Sequence, residues 1–335
     1  MLAEVVRTPR ARLREDEIAP AFSLIMPAHG TRAWIGEAIE SVRAQTLTDW
    51  ELIVVDDGSP DGLAEVVAPL LRDERITLIR QANAGASAAR NVGAAQSSAP
   101  LLSFIDSDDV LAPDFLERTA SILASQPGVG IVGCLMERFD ERPGDHGGVA
   151  EPALGQFEPW WDTPHCLAEF LTHPFAYHGA TMRRSLFEVT GGYSTDLAIH
   201  EDFDIWLKVI ASGGRPHILP SPHYFWRENP DSVTRSESEY NVRLPESRAI
   251  VLDRFLRSST VPTEARRAAR AQRAMALASA NLGSARAALQ AGSHWRIAQC
   301  ALRSIRARPS IAALRLLASA PLPAAVLKRI AATRS

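Results

Sequence analysis

A segment that carries an apolar run directly into a cluster of acids most strongly limits the folds open to this chain. In Leu101–Phe115 (LLSFIDSDDVLAPDF), a short run typical of a buried strand is followed at once by Asp106, Asp108 and Asp109. Open α/β sheets bind ligands beyond the carboxyl ends of their strands, and clustered carboxylates there suit a hard divalent cation that also takes phosphate oxygens. The segment therefore predicts a metal or sugar-nucleotide site. The alternative is an acidic turn that caps the next helix.

The same pattern recurs within an alternating order of strands and helices. Trp50–Val55 (WELIVV) indicates a second strand, and it runs into Asp56 and Asp57. Strands are predicted at 21–27, 50–55, 76–80 and 101–105, with helices at 33–45, 63–71 and in the second half of 83–93. This order predicts a mainly parallel sheet with helices on both faces, an α/β fold.

Further elements are predicted after this alternation. They are a helix at 116–124, a strand at 129–135, a helix from about 180 to a glycine turn at 191–192, a helix at 200–210 and a strand at 217–219. An aromatic and histidine-rich stretch between Trp160 and His178 has no zinc-ligand spacing. It could contact a sugar, but an aromatic core patch is the favoured interpretation.

Two further polar segments could contribute to a site. Asn83–Gly93 (NAGASAARNVG) places small residues before a helix, where backbone N–H groups can approach a phosphate, and Arg90 adds a cation. A tight connector is the alternative. Glu201 and Asp202 open the helix at 200–210, and the helix dipole alone would favour acids in its first turn.

The composition is that of a globular protein with uneven charge. The 335 residues carry a net charge of −3, which argues against a protein built to neutralise nucleic acid. We expect a loose leader at 1–19, an α/β domain at 20–244 and a helical region at 245–335, broken near Pro262, Gly283, Gly292, Pro309 and Pro321. That last region is rich in Arg and could touch an anionic membrane face, although helices packed on the main domain are the favoured alternative.

The cysteines and the apolar runs bear on the compartment. Cys134, Cys166 and Cys300 are few, odd in number and far apart, so that no disulfide framework or CxxC metal site is expected. Free thiols, no early apolar signal segment and no apolar run of about 18 residues favour a cytoplasmic protein.

Taken together, the motifs resemble those of the family 2 glycosyltransferases, inverting enzymes of the GT-A fold. The resemblance rests on five segments in family order across about residues 22–235, and in combination they are highly specific: SLIMPAHG, AIESVRAQTLTDWELIVVDDGSPDG, NAGASAARNVG, FIDSDDVLAPDFL, and GGY followed by HEDFDIWLKV. The resemblance implies the GT-A nucleotide-diphospho-sugar transferase fold, an α/β fold with a Rossmann-like mixed, mostly parallel sheet, followed here by a C-terminal α-helical region.

The resemblance also implies roles for individual residues. Asp57 would bond the nucleotide base with support from Asp56, and Asp108 would be the direct ligand of Mn²⁺ or Mg²⁺, with Asp106 beside it and near the ribose. Asp202 of the Glu201–Asp202 pair would be the general base. The remaining positions beside the nucleotide are Pro27, His29, Asn83 and Arg90. Asp109 is interpreted as capping the following turn.

The implied reaction moves a sugar from a nucleotide-diphosphate donor to an acceptor hydroxyl with inversion. A UDP-sugar is the expected donor, with dTDP- or GDP-sugars as alternatives, and the acceptor would be a glycan or a lipid-linked glycan of a bacterial cell surface. A divalent cation would neutralise the departing diphosphate, and a carboxylate would take the proton of the hydroxyl. The alternatives are a sugar nucleotidyltransferase and a non-catalytic carbohydrate-binding protein.

Two positions depart from the family pattern. His29 in PAHG stands where the family commonly has Tyr in PxYN, so that stacking on a base would be less broad. Asn229 in WRENPDSVT stands at the His position of the family's YRxH segment and could offer a metal only an amide oxygen. These departures bear on which nucleotide binds and on metal affinity.

Overall fold

Ten strands, counted among the residues that the structure describes, form one sheet in the first of two units. The computed structural model describes residues 4–5, 20–139, 150–151, 166–172, 179–197, 199–228, 237–258 and 261–319. The two units are Met1–Asn229 and Pro230–Ser335. The strands are β1 (Glu4–Val5), β2 (Phe22–Ala28), β3 (Trp50–Asp56), β4 (Ile76–Arg80), β5 (Leu101–Phe104), β6 (Val110–Leu111), β7 (Val129–Phe139), β8 (Ala150–Glu151), β9 (Thr181–Arg183) and β10 (Arg215–Arg227).

Seven helices of the first unit and four of the second are described. The helices of the first unit are α1 (Ile35–Arg43), α2 (Leu63–Val67), α3 (Ala86–Ala95), α4 (Phe115–Ser125), α5 (Cys166–Thr172), α6 (Arg184–Val189) and α7 (Glu201–Ala211), and those of the second are α8 (Glu237–Arg257), α9 (Thr263–Gln290), α10 (His294–Ala307) and α11 (Ile311–Ser319). A 3-10 helix, Ala68–Arg72, follows α2.

The sheet is mostly parallel, as predicted. Its order is β1-β4-β3-β2-β5-β9-β7-β10-β6, and β8 pairs with β7. The neighbours from β4 to β5 are parallel to one another, and so are β7 and β10. The short strands β1, β6, β8 and β9 pair antiparallel with their neighbours. Parallel neighbours direct their carboxyl ends to the same edge, which is where the acids after β3 and β5 lie.

Helices cover both faces of this sheet because alternate strand residues point in opposite directions. On one face, Leu24 and Met26 belong to a buried cluster with Ile39 of α1 and Leu116 of α4. On the other face, α3 lies so close that a Cβ at Gly93 would stand 2.5 Å from Ile25 Cγ2. The predicted two-sided arrangement is therefore confirmed.

Pro27 lies inside β2, whereas the sequence predicted that this strand would end there. Residues two apart in a strand direct their backbone to the same neighbour, so Pro27 faces β5, as Ile25 does. The β2–β5 pairing ends at Ile25 and Phe104, and Ile105 N makes a final bond to Ile25 O. The missing N–H of Pro27 therefore costs no ladder hydrogen bond.

The helix predicted from about residue 180 was wrong in its first part. Thr181–Arg183 is β9, which pairs antiparallel with both β5 and β7, and α6 begins only at Arg184. Thr181 and Met182 are fully buried between those strands. A short apolar run has no periodicity that separates a buried strand from a buried helix. The predicted glycine turn is present, since Gly191 and Gly192 have φ of 74° and 75°.

The second unit is helical, and the expected breaks near Pro262, Gly292 and Pro309 are confirmed, whereas the expected break near Gly283 is absent. Helix α8 begins at Glu237 and contains Pro245, and α9 continues through Gly283 to Gln290. One internal proline removes a single i→i−4 bond, and one glycine costs about 1 kcal/mol relative to alanine, which helices of this length tolerate. The turn at 291–293, where Gly292 has φ 68°, separates α9 from α10 as a helix-turn-helix pair.

The leader expected at 1–19 and the end of the Arg-rich helical region lie partly outside the described residues. Glu4–Val5 pairs with β4 as an edge strand, and Pro321 lies outside the described residues. Within the described parts of the chain, no helix has the length and apolar character needed to cross a bilayer.

Candidate functional site

A small cleft lies where the loop after β5 meets the start of α7. Asp106 comes from that loop, and Asp202 comes from the first turn of α7. The residues that line it are Arg90, Phe104, Asp106, Gly179, Ala180, Tyr193, Asp202 and Tyr224. The tertiary structure thus brings Arg90, Asp106 and Asp202, three of the residues singled out in the sequence, to one cleft.

Arg90 is the cation that joins these acids. Its guanidinium donates from Nη2 to Asp106 Oδ1 at 2.7 Å and from Nη1 to Glu201 Oε1 at 3.0 Å. Asp202 Oδ1 lies 3.9 Å from Nη1. The residue is 4% exposed. Burial by itself would lower the pKa of Arg90, but the charges of Asp106 and Asp202 outweigh it and raise that pKa well above its usual value.

Tyr193 and Asn91 hold the other side of this arginine. The Arg90 guanidinium carbon lies 5.1 Å from the centre of the Tyr193 ring. The Asn91 amide donates to Tyr193 O at 2.8 Å and accepts from Tyr193 N at 2.9 Å. Gly192 allows this approach, since a Cβ there would stand 2.6 Å from Asn91 Oδ1. The glycine turn therefore fixes the aromatic ring beside Arg90. Burial, and the charge of Asp202 after it, raise the pKa of the Tyr193 hydroxyl well above its usual value.

The loop after β5 is tied to β10 through Asp109 and Tyr224. Asp109 is 1% exposed, and its Oδ2 accepts from the Tyr224 hydroxyl at 2.7 Å. The same hydroxyl accepts from Asp106 N at 3.2 Å. Burial, and next the charges of Asp108 and Asp106, raise the pKa of Asp109 well above its usual value. The prediction that Asp109 caps the following turn was wrong, because the sheet buries its carboxylate against β10.

Arg227 completes this attachment at the end of β10. Its backbone N donates to Asp109 Oδ1 at 2.9 Å, and its Nε donates to Asp108 O at 3.0 Å. Its Nη2 pairs with Glu37 of α1. The loop that carries Asp106 and Asp108 is thus fixed by side chains of α3 and β10, and Glu37 of α1 in turn holds Arg227.

Asp56 and Asp57 organise the loops beside the cleft. Asp56 accepts from Ser59 N at 2.8 Å and from Arg80 Nε at 3.0 Å. Asp57 accepts at 2.8 Å from the backbone N–H groups of Ala84 and Gly85 and from Gln81 Nε2. The backbone N–H groups before α3, which the sequence offered to a phosphate, therefore bind the Asp57 carboxylate.

His29 and Asn83 meet above Asp57. His29 Nδ1 lies 2.9 Å from Asp57 O and donates to it, so Nε2 accepts from Asn83 Nδ2 at 3.2 Å. Both side chains are exposed at the end of β2 and in the loop before α3. Pro27, by contrast, is buried within β2.

Contacts of Asp204 and Lys208 with the segment Gly192–Ser194 fix the start of α7. Asp204, 3% exposed, accepts from Ser194 Oγ at 2.7 Å and pairs with Lys208 Nζ at 2.7 Å. Lys208 also donates to Gly192 O at 3.1 Å. His200, which precedes the helix, has φ 66°, a left-handed conformation that is rare for a residue with a side chain. The glycine turn and α7 are thereby joined close to the helix start that carries Glu201 and Asp202, of which Asp202 lines the cleft.

The metal ligands implied by the sequence are Asp106 and Asp108, in the loop after β5. Within the described ranges, no group of three His, Cys, Asp or Glu side chains forms a ready metal site. Asp106 and Asp108 are separated by one residue, and both are partly exposed. Mg²⁺ is commonly held by one or two carboxylates together with substrate phosphates, so the donor set fits Mg²⁺ or Mn²⁺ with a diphosphate. Asn229, residues 160–165 and residues 173–178 lie outside the described residues.

Sequence reasoning gave no site role to Tyr193, Tyr224 or Arg227. Tyr193 lies in the GGY motif, which was a usable signal. Three aromatic residues, Tyr224–Trp226, precede Arg227, but nothing in that run indicates that Tyr224 and Arg227 reach Asp109, 115 and 118 positions earlier.

The motifs belong to a segment that matches a known protein family. The model of "Glycosyl transferase family 2" matches residues 23–191. The Bacillus subtilis (strain 168) protein "Uncharacterized glycosyltransferase EpsJ" is 32% identical over 224 residues, and the match covers 64% of this chain and 63% of EpsJ, less than two thirds of that relative. "Putative glycosyltransferase EpsE" of the same organism is 28% identical over 228 residues, covering 67% of this chain and 78% of EpsE.

Solved structures of the same fold include two sugar-nucleotide complexes. S. aureus TarS 1-349 with UDP-GlcNAc has a TM-score of 0.62 and 17% identity, covering 84% of this chain and 81% of that chain. The mannosyltransferase PcManGT from Pyrobaculum calidifontis, in complex with GDP-Man and Mn²⁺, has a TM-score of 0.56 and 21% identity, covering 95% and 82%. The GT-A-like fold expected from the motifs is therefore confirmed, and the chain belongs to glycosyl transferase family 2.

Proposed function

We propose that the protein transfers a sugar from a nucleotide-diphosphate donor to a hydroxyl of a glycan or lipid-linked acceptor, with inversion, in bacterial cell-surface glycan synthesis. Membership in glycosyl transferase family 2 supports the sugar transfer. The nucleotide-sugar donor is supported by TarS, which binds UDP-GlcNAc, and by PcManGT, which binds GDP-Man. A UDP-sugar is the first donor to test.

One observation carries the proposal. Buried Arg90 links Asp106, at the end of a sheet strand, to the Glu201–Asp202 pair at the start of α7. A transferase needs cationic stabilisation of a departing diphosphate and a base for the incoming hydroxyl within one cleft. The Arg90 cluster provides both kinds of group.

On the donor side, Asp106 and Asp108 would hold Mn²⁺ or Mg²⁺ with the diphosphate. The bound cation would supply charge neutralisation of the leaving group. Arg90 keeps the Asp106 carboxylate oriented through its 2.7 Å hydrogen bond. Asp57 shapes the loop at 81–85, so that His29 and Asn83 stand exposed where a nucleotide base would contact them.

On the acceptor side, Asp202 is the proposed general base. Its carboxylate lines the cleft, and Glu201 rather than Asp202 takes the short hydrogen bond from Arg90. A carboxylate in this cleft, in the first turn of α7, is positioned to take the proton of an acceptor hydroxyl. One displacement at the anomeric carbon, with that proton passing to Asp202, would invert the sugar configuration.

The test is a transfer assay with a panel of nucleotide sugars and glycan acceptors, followed by Asp202→Asn. We expect turnover to fall by about 10²–10⁴-fold, the usual contribution of a general base, while donor affinity measured by calorimetry changes less than about threefold. Glu188→Gln, at an exposed acid on α6, is the control and should keep full turnover.

Three results would contradict the proposal. Undiminished turnover in Asp202→Asn would remove this residue as the base, and full donor binding in excess chelator would remove the metal role of Asp108. Formation of a nucleotide sugar from a nucleoside triphosphate and a sugar 1-phosphate, without any glycosyl transfer, would assign the chain to nucleotidyl transfer instead.

A further inference from the structure

Charge is divided very unevenly along the chain. Of its 36 Lys and Arg residues, 13 lie after Glu264, whereas all 39 Asp and Glu residues lie at or before that position. The last 71 residues therefore carry positive charge without any acid in the sequence to neutralise it locally. A segment of this kind is attracted to anionic surfaces over distances set by the ionic strength.

Helix α10 directs part of this charge to its outer side. Ile297, Ala301 and Ser304 are buried at intervals of four and three residues, and Ser304 Oγ donates to Ala278 O of α9 at 2.8 Å. That is the inner face. Arg303 and Arg306 are exposed, and Arg308 is exposed directly after the helix.

Helix α11 begins three residues after Arg308 and exposes apolar side chains. Its inner side is occupied, since Ala313 is buried and Leu316 and Leu317 pack against Ala288, Ile297 and Ala298. Yet Ile311 is 71% exposed and Leu314 is 53% exposed, with exposed Arg315 beside them. Residues 311, 314 and 315 share one face of a helix. We call the six residues Arg303, Arg306, Arg308, Ile311, Leu314 and Arg315 the basic strip.

Within the described part of the chain, two arginines of α9 have protein partners, unlike the arginines of the basic strip. On α9, Arg273 pairs with Asp253, and Arg266 donates to Leu256 O and Ser258 O at 2.8 Å each. Among the described residues, no ion pair joins a basic-strip arginine to an acid. Their charge therefore remains available to a partner.

We propose that the basic strip binds an anionic lipid surface. Arginines on a polar helix side with aliphatic side chains next to them are the combination that holds interfacial helices in the headgroup region. The aliphatic pair would enter the headgroup boundary while the four arginines meet lipid phosphates. This surface lies outside the cleft residues, and the inference does not depend on the proposed transfer reaction.

The test is sedimentation of the full chain with vesicles of phosphatidylcholine containing phosphatidylglycerol, compared with phosphatidylcholine alone. We expect binding only to the anionic vesicles, and weaker binding at higher salt. Each arginine near such a surface contributes roughly fivefold in affinity, so the triple variant Arg303→Gln, Arg306→Gln, Arg308→Gln should bind about 100-fold more weakly.

A matched control removes three exposed arginines from α9. Arg267→Gln, Arg270→Gln, Arg286→Gln changes the net charge of the same unit equally and should bind within about threefold of the unchanged chain. Ile311→Ser with Leu314→Ser should weaken binding about tenfold and leave the circular dichroism spectrum unchanged, because both side chains are exposed.

Any of three outcomes would overturn the proposal. The first is no binding of the full chain to anionic vesicles, and the second is equal loss in the basic-strip and control variants, which would indicate an effect of net charge alone. The third is a concentration-dependent dimer in sedimentation velocity that the Ile311→Ser, Leu314→Ser variant abolishes while vesicle binding persists, which would assign the surface to a second copy of this chain.

Discussion

Replacing Arg90 by leucine tests the charge arrangement of the cleft most directly. The substitution keeps a buried side chain but removes the cation that donates to Asp106 and Glu201 and lies 3.9 Å from Asp202. Three carboxylates from two elements would then face one another without the charge that compensates them. Leaving buried charges without their partner costs about 3–5 kcal/mol.

This cost can be converted into a melting temperature. For domains of 150–250 residues, 1 kcal/mol corresponds to a shift of about 2–4 °C, so Arg90→Leu should lower the melting temperature of the first unit by about 6–20 °C. Arg90→Lys keeps the charge but has no planar guanidinium to bond Asp106 and Glu201 together. Its melting temperature should lie between those of the unchanged chain and Arg90→Leu.

The assay is calorimetric unfolding with and without Mn²⁺, and Arg184→Leu is the control. Arg184 is also partly buried, but its guanidinium donates to neutral partners, Ala99 O at 2.6 Å, Ala94 O at 3.0 Å and Ser97 Oγ at 2.7 Å. A divalent cation near the carboxylates can replace the lost charge only in Arg90→Leu. Mn²⁺ should therefore raise the melting temperature more in Arg90→Leu than in Arg184→Leu.

Two results would refute this reasoning. If Arg90→Leu melts within about 1 °C of the unchanged chain, the three carboxylates do not depend on the guanidinium for compensation. If Mn²⁺ raises the melting temperatures of Arg90→Leu and Arg184→Leu equally, the instability arises from lost packing rather than from unpaired charge.

Three further predictions concern single side chains. Tyr224→Phe removes the hydroxyl that bonds both Asp106 N and Asp109. Groups that position metal ligands contribute about 10–100-fold to metal affinity, so Mn²⁺ titration followed by electron paramagnetic resonance should show about 10-fold weaker binding. Unchanged Mn²⁺ affinity would contradict this role of Tyr224. Gly192→Ala forces a Cβ to 2.6 Å from Asn91 Oδ1 at φ 75°, and urea unfolding should report a loss of about 1–3 kcal/mol. Burial raises the pKa of Cys134 to about 12, so at pH 8 only about 10⁻⁴ of it is thiolate; mass spectrometry should find it alkylated by iodoacetamide in urea but not in the native protein.

The sequence was sufficient for much of the sheet. Trp50–Asp56 and Leu101–Phe104 are strands within one or two residues of the prediction, because short buried apolar runs bounded by polar loops indicate strands directly. It failed at Thr181–Arg183, where burial between two strands decided a conformation that three residues cannot specify. It also failed at Gly283, where packing within a long helix outweighs a weak local preference.

For the cleft, the order of the residues was enough to identify the chemical groups involved. The acids after two strands and at the start of α7, together with the motifs of family 2, indicated carboxylates, a cation and a nucleotide-binding loop. These are local patterns, and each can be read from a few neighbouring residues.

Which of these groups meet depends on the folded arrangement of the chain. Arg90 bonds Asp106, 16 positions away, and Glu201, 111 positions away, and Asp109 is buried against Tyr224, 115 positions away. Such contacts depend on strand order and on how closely helices approach the sheet, and Coulomb energy depends on distance in space rather than along the chain. For that reason, the position of Arg90 between the acids and the burial of Asp109 could not be obtained from the order of the residues.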